Sequence, residues 1–394
     1  MAERTVVITH ALRTPIGRFL GVFRDVPARD LGVAVVRGLL EKSGLSPEHV
    51  DETVIGNARQ AGSGPNLARQ IAVGAGIPQR SPAYTVNQAC ASGMLSMTLG
   101  AESIRLGRSD VVVAGGSESM SRVPYLLDQA RTGYRLGDAT LIDGQYRDGF
   151  LCSLSGLLMG ETAENLAEKY QISRDEQDEY AATSQNRCEA ARKEDRFADE
   201  IVPVASPAGK GEKVLVERDE HPRDGVTTES LSRLRPVFKK DGTVHAGNSS
   251  GITDGAAAVI LMSEDAAGRH GFKPLARLGD SVTVGVDPTI MGIGPVDAIR
   301  ALEKRTGKKL EEYDLVELNE AFAAQVLACD RELRFDLDRL NVNGGAIAIG
   351  HPIGCSGTRI VVTLLHEMAR RQVAGGLATL CVSGGLGVAT EFHR

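Results

Sequence analysis

The chain has 394 residues, 42% apolar and 24% charged. At roughly 150 residues per domain, this predicts two or three globular units and excludes disorder and coiled coil. A net charge of −6 leaves no basic footprint for nucleic acid or anionic lipid, and the longest apolar run, Ala256 to Met262, is far short of the about twenty residues a membrane span needs.

The start, Met1-Ala-Glu-Arg-Thr-Val-Val-Ile, places charges where a secretory leader needs an apolar core, and the end, Glu391-Phe-His-Arg, matches no address tag. Thr5 to Thr9 reads as a strand and Leu31 to Ser43 as a helix stopped near Gly44. Ser46-Pro47 caps a short helix, and Thr53 to Gly56 is the next strand. Ala83 to Asn87 (strand), Ala91 to Leu106 (helix) and Asp110 to Ala114 (buried strand) continue the alternation. That rhythm predicts an α/β fold, its sheet covered on both faces.

Between Ser121 and Val244 the rhythm breaks. The stretch is more charged, with helices at Gly160 to Tyr170 and Arg174 to Glu194, the second opened by a Ser173/Glu176 capping box. It reads as an inserted, mostly helical region whose long loops cover something. After Gly247 the α/β pattern resumes, and it echoes the first half. Ser92-Gly93, between a strand and a helix, has its counterpart in Ser356-Gly357, and each is followed by a strand ending in a glycine pair. Two related halves facing each other are expected.

There are 45 glycines, no tryptophan, nine phenylalanines and seven tyrosines. Backbones therefore pack closely and turn tightly, as suits an enzyme better than an aromatic binding surface. The six cysteines (Cys90, Cys152, Cys188, Cys329, Cys355, Cys381) show no metal-binding spacing, so no metal is expected and the thiols are read as reduced. Cys188 and Cys329 fall on helical patterns, Cys355 in a glycine-rich loop, and Cys152 in the covering region, where exposure is expected.

Cys90 sits where a strand hands over to a helix. It is either a thiolate favoured by the helix N-terminus, with small neighbours admitting a substrate, or a buried structural cysteine. His351 lies in Gly344-Gly-Ala-Ile-Ala-Ile-Gly-His-Pro-Ile-Gly-Cys-Ser-Gly, with five glycines in fourteen residues; it could exchange a proton or donate to an oxyanion, or merely cap the loop. Cys381 ends an apolar strand before Ser383-Gly384-Gly385. Asn319 and Glu320 follow the strand Leu315 to Leu318, where they could position water or cap the next helix. Two thiols, a histidine and glycine-rich turns point to thioester or acyl transfer.

The chain resembles a thiolase. Four separated blocks carry the resemblance: Asn87-Gln-Ala-Cys-Ala-Ser-Gly-Met, Gly247-Asn-Ser-Ser-Gly-Ile-Thr-Asp-Gly-Ala-Ala, Asn319-Glu-Ala-Phe, and Asn341-Val-Asn-Gly-Gly through Gly-His-Pro-Ile-Gly-Cys-Ser-Gly. Gly115-Gly-Ser-Glu-Ser-Met-Ser and Met159-Gly-Glu-Thr-Ala-Glu-Asn support it. The resemblance implies two similar βαβαβαββ halves in a layered αβαβα arrangement with an inserted loop domain. The halves would be 1–120 plus 251–272 and 273–394, with the loop domain, 121–250, over the coenzyme A site.

It further implies thiolysis of 3-oxoacyl-CoA by CoA, or the reverse Claisen condensation, as in fatty-acid breakdown, with acetoacetyl-CoA biosynthesis as the close alternative. Cys90 would carry the acyl group, His351 would activate it, Asn319 would hold a water beside the enolate oxygen, and Cys381 would be the acid/base. The backbone N–H groups of Cys90 and Ser383 would form an oxyanion hole. Met159, Arg223, Ser230, Ala246, Ser250, Ala321 and Phe322 would meet CoA, and Met291 the acyl pocket. CoA and acyl-CoA would be substrates and partners, with no separate cofactor, in a cytoplasmic homo-oligomer, a dimer or a dimer of dimers (homotetramer).

Two departures from the family pattern stand out: Ser383 replaces a glycine, and Leu158 replaces the histidine of a His-Met-Gly block common in acetyl-specific members. A ketosynthase of this fold would use two histidines, which Cys381 and the Asn-Glu-Ala-Phe block oppose. An inactive acyl-CoA or lipid carrier would lack one of Cys90, Asn319, His351 and Cys381, and all four are present.

Overall fold

The computed structural model describes residues 4–209 and 211–394. Residues 1–3, part of the charged start read against a leader, lie outside the described residues.

The strands fall into two sets with one topology. In the first, Val6–Arg13 pairs antiparallel with Thr253–Ser263, which pairs antiparallel with Val111–Ser119; Glu52–Gly56 and then Ala83–Val86 follow in parallel. In the second, Ala276–Gly285 pairs antiparallel with Leu386–His393, which pairs antiparallel with Gly375–Val382; Leu315–Leu318 follows in parallel, and Leu340 extends that edge as a parallel bridge to Val316. The sets meet where Val7 faces Arg277 and Ile8 faces Ala276.

Three apolar cores separate the layers. Helices Ala28–Ser43 and Leu67–Gly74 cover the outer face of the first set, and Gly294–Thr306 and Ala323–Leu333 that of the second. Between them lie Ser92–Arg105 and Ile353–Arg371. The latter is buried on nearly every face along its first four turns, the Arg359 side chain included. The paired Ser-Gly steps explain how these two central helices meet. A Cβ on Gly93 would lie 2.8 Å from the Thr358 nitrogen, and one on Gly357 would lie 2.5 Å from the Met94 nitrogen. The echo in the sequence is therefore a helix crossing, and it brings the Cys90 and His351 segments together.

Local readings needed adjustment at their ends. The first strand runs to Arg13, and Asp110–Ala114 is the beginning of Val111–Ser119, which continues through Gly115-Gly116 because both faces are covered there. The inserted helices span Met159–Lys169 and Arg174–Lys193, the second with the expected Ser173/Glu176 capping box. They pack on Ala323–Leu333 and Ala346–Ile349 of the second half. Cys355 lies within the helix Ile353–Arg371, and Cys152 is buried, contrary to the exposure expected of it. No helix among the described residues is long and apolar enough to cross a membrane.

Candidate active site

Cys90 is presented by a tight turn after Ala83–Val86. Ala89 takes φ +45°, a left-handed value unusual for a residue with a Cβ. Side chains hold that turn: Asn87 Oδ1 accepts the Ala89 N–H at 2.9 Å, while Ser92 Oγ accepts from Gln88 N (2.9 Å) and donates to the Ala89 carbonyl (2.7 Å). Burial pushes the Cys90 thiol up, against the pull of the Ser383 N–H, Arg59 and its own N–H. The helix N-terminus therefore does not make a resting thiolate, because desolvation outweighs it. Cys90 needs a base.

His351, which shares a cavity wall with Cys90, is the candidate. Its Nδ1 lies 2.5 Å from Ser356 Oγ, and that hydroxyl donates to the Pro352 carbonyl at 3.0 Å. With its own proton so used, Ser356 Oγ accepts from Nδ1–H, which leaves the Nε2 lone pair free. Nε2 is buried without a partner within the protein. Burial first, then Arg359 and Arg59, lowers the imidazole to about 3, so it is neutral at neutral pH. Ser356 was singled out in the sequence only as half of the Ser-Gly echo, not as a partner of His351; its place one turn after Pro352, beside the histidine, was the available signal.

This histidine also makes a stability prediction. A folded-state value of about 3 against 6.5 in the unfolded chain means that only the unfolded state takes up the proton between them. Stability is therefore lost as pH falls below 6.5, by about 1 kcal/mol per unit from this group. Thermal melts from pH 7 to 5 should show that decline, with a shallower slope in His351→Gln. Equal slopes would show that His351 is not buried neutral.

Behind Cys90 lies Cys381, fully buried at the end of Gly375–Val382, its thiol raised by burial and then by Cys90. Asn319 is also buried, and its side-chain amide makes no hydrogen bond within the protein. Its neighbour Glu320 neither caps the next helix, Ala323–Leu333, nor stands free to position water. Instead its carboxylate accepts from Tyr180 (2.9 Å), Ser184 (2.7 Å), Asn341 (3.1 Å) and the Ile347 N–H (3.0 Å), fastening the inserted helix to the loop before His351. The Ser383 departure is harmless to the backbone. The left-handed φ values fall on Gly384 (+90°) and Gly385 (+83°), and Ser383 is not among the positive-φ residues.

Cys90, His351 and Ser383 open on a cavity of about 650 Å³. Met159, Arg223, Ala246, Ser250, Met291, Ala321 and Phe322 line it as well. Ser230 does not; it is exposed, its hydroxyl donating to the Thr227 carbonyl at 2.7 Å. Asn319 and Cys381 are not on the wall either. Leu158 is, so an apolar residue lines the cavity where the chain departs from its resemblance to acetyl-specific members. Sequence reasoning missed Arg59, Phe150 and His221 on the wall. None belongs to a periodic pattern, and only the fold brings them in.

A thiol and a neutral imidazole on one wall, with a second thiol in electrostatic contact, are groups that suit an acyltransferase. Comparison with known proteins agrees. Residues 6–265 match the N-terminal thiolase domain and residues 272–394 the C-terminal one. An acetyl-CoA acetyltransferase of Pseudomonas aeruginosa is 53% identical over 389 residues, covering 99% of each chain, and a probable acetyl-CoA acyltransferase of Staphylococcus aureus is 50% identical over the same share. The crystal structure of the Bacillus anthracis acetyl-CoA acetyltransferase superposes with a TM-score of 0.97 at 45% identity, covering 100% of this chain and 99% of the other. That of human mitochondrial 3-ketoacyl-CoA thiolase gives 0.96 at 44% identity, covering 99% of each. The chain belongs to the thiolase family.

Proposed function

We propose that this thiolase-type acyltransferase cleaves 3-oxoacyl-CoA with CoA, and runs the reverse condensation, through an acyl group carried on Cys90. The observation that supports this most is the free Nε2 lone pair of a neutral His351 on the cavity wall that also holds Cys90. His351 takes the Cys90 proton, and Sγ attacks the 3-oxo carbonyl. The bond between C2 and C3 breaks, its electron pair moving into the enolate of acetyl-CoA. Cys381, whose raised thiol keeps its proton at rest, protonates the enolate carbon. The CoA thiol then gives its proton to the Cys381 thiolate and attacks the Cys90 thioester, and the departing Cys90 sulfur recovers its proton from His351. The enolate oxygen would be met by His351 and a water on Asn319, and the oxyanion of the acyl-transfer step by the N–H groups of Cys90 and Ser383.

CoA would lie along Met159, Ala246, Ser250, Ala321 and Phe322, its phosphates near Arg223, with the acyl chain toward Met291. Ser230 would reach CoA only from outside this cavity. We further propose the division into 1–120 plus 251–272, 121–250 and 273–394, a cytoplasmic homodimer or homotetramer, and no cofactor beyond the CoA substrates. Leu158 favours chains longer than acetoacetyl and so a degradative, β-oxidation-type role over acetoacetyl-CoA synthesis. Loss of 3-oxoacyl-CoA on addition of CoA, followed from four carbons upward, tests this reading. Turnover improving beyond four carbons is expected. A maximum at acetoacetyl-CoA would favour the biosynthetic alternative, and no turnover from folded protein would favour the inactive carrier.

A further inference from the structure

Of the charged side chains on the cavity wall, Arg18, Arg59 and Glu220 take no part in the chemistry above, and of these only Arg59 is buried. Arg59 lies in the turn after Glu52–Gly56, where buried Glu118 gathers the neighbouring amides. The Glu118 carboxylate accepts from Asn57 Nδ2 (2.7 Å) and from the N–H groups of Ala58 (2.9 Å), Arg59 (3.2 Å) and Gly354 (2.8 Å). Gly354 follows His351 by three residues, so this cluster fixes the Arg59 backbone against the histidine loop. The side chain then runs along the wall. Its guanidinium carbon lies 6.0 Å from the centre of the Phe150 ring, and a Cβ on Gly149 would come within 2.5 Å of the guanidinium.

This guanidinium feels the charge of the nearby Glu118 carboxylate but has no hydrogen-bond acceptor of its own. Arg59 is only 7% exposed, and its Nε is enclosed with no hydrogen-bond partner. Among the described residues no carboxylate or carbonyl accepts from its side chain; Glu118 is already occupied by four other donors. Glu118 offsets part of the guanidinium charge but leaves its N–H groups without an acceptor, and an anion arriving with the substrate would satisfy them. The phosphates of CoA are poorly placed to be that anion, since the pantetheine arm separates them from the thioester. Arg59, by contrast, is close enough to Cys90 and His351 to bias both. The acyl chain is the part of the substrate that can reach it.

We infer that Arg59 is a specificity residue for 3-oxoacyl-CoA thioesters whose acyl chain ends in a carboxylate, which the guanidinium receives through paired N–H···O bonds. This rests on the thiolase reading above. The wall around it fits such a chain, with Phe150, Leu158 and Met291 for the methylenes and Arg59 as the buried cation for the terminus, the other wall arginines, Arg18 and Arg223, being exposed.

The test compares kcat/KM for 3-oxoacyl-CoA substrates of six, eight and ten carbons, each with and without a terminal carboxylate, alongside acetoacetyl-CoA. The wild-type chain should prefer the carboxylate-ended substrate in at least one pair. The preference ratio should fall by about 10²-fold in Arg59→Met and Arg59→Gln, and by less in Arg59→Lys, which keeps the charge but loses the fork. A merely structural role would lower both members of a pair together and leave the ratio unmoved. Preference for the neutral substrate at every length in the wild type, or a preference indifferent to Arg59, would overturn the inference. Failure of every substrate, acetoacetyl-CoA included, would instead overturn the thiolase reading on which it stands.

Discussion

Cys90→Ala is expected to lower thiolysis by about 10⁴-fold or more while leaving the protein folded. The size of the effect follows from the chemistry: without the sulfur there is no covalent carrier, and CoA would have to attack the 3-oxo carbonyl directly. The fold should survive because the turn is held by Asn87 and Ser92 rather than by the thiol. Cys188 provides the contrast. It is equally buried, with a thiol pushed up to about 12, but lies on the inserted helix Arg174–Lys193 and not on the cavity wall, so Cys188→Ala should keep wild-type turnover. Steady-state assays on the two variants check this, and loss of activity in Cys188→Ala with survival in Cys90→Ala would reverse the assignment.

Arg13→Met should cost about 3–5 kcal/mol of stability, read as a lowered denaturation midpoint. Arg13 is wholly buried and holds Glu200 through Nε at 2.6 Å and Asp219 through a fork at 2.7 and 2.9 Å. Burial alone would lower its pKa, but the two carboxylates overcome this and raise it, so the cation is permanent. Removing it strands two buried carboxylates. Asp219 also accepts the Ile16 N–H, and it precedes His221 and Arg223 on the cavity wall. The KM for CoA should therefore rise along with the loss of stability. Replacing the carboxylates too, with Glu200→Leu and Asp219→Leu, should recover part of the stability, because apolar groups of similar size then fill the site. A single Arg13→Met variant as stable as wild type would show that this triad is not what fastens the inserted region to the first strand.

Much of the site was readable because it is local. The strand-to-helix turn at Cys90, the glycine-rich loop at His351 and the Cys381 strand end each reside in a few consecutive residues, where turn chemistry leaves a trace. The same locality made the Ser92-Gly93 and Ser356-Gly357 echo visible, although its meaning as a helix crossing required both halves in place. What stayed hidden depends on contacts between distant segments. Glu320 looked like a cap or a water-positioning group, but four donors from three other segments occupy it. Cys90 looked like a helix-end thiolate, but the layers that bury it set the opposite direction. Cys152 looked exposed because it falls in the inserted covering region, yet it is enclosed. Arg59 had no pattern at all, and only the cavity shows that its guanidinium faces inward without a hydrogen-bond acceptor.

The most direct measurement is to incubate the protein with acetyl-CoA, quench in acid, digest, and locate the modification by mass spectrometry. The account predicts one acetyl group on the peptide containing Cys90, absent when His351 is replaced by glutamine or Cys90 by alanine. Turnover without any acyl-enzyme, or an acetyl group on Cys381 instead, would contradict it.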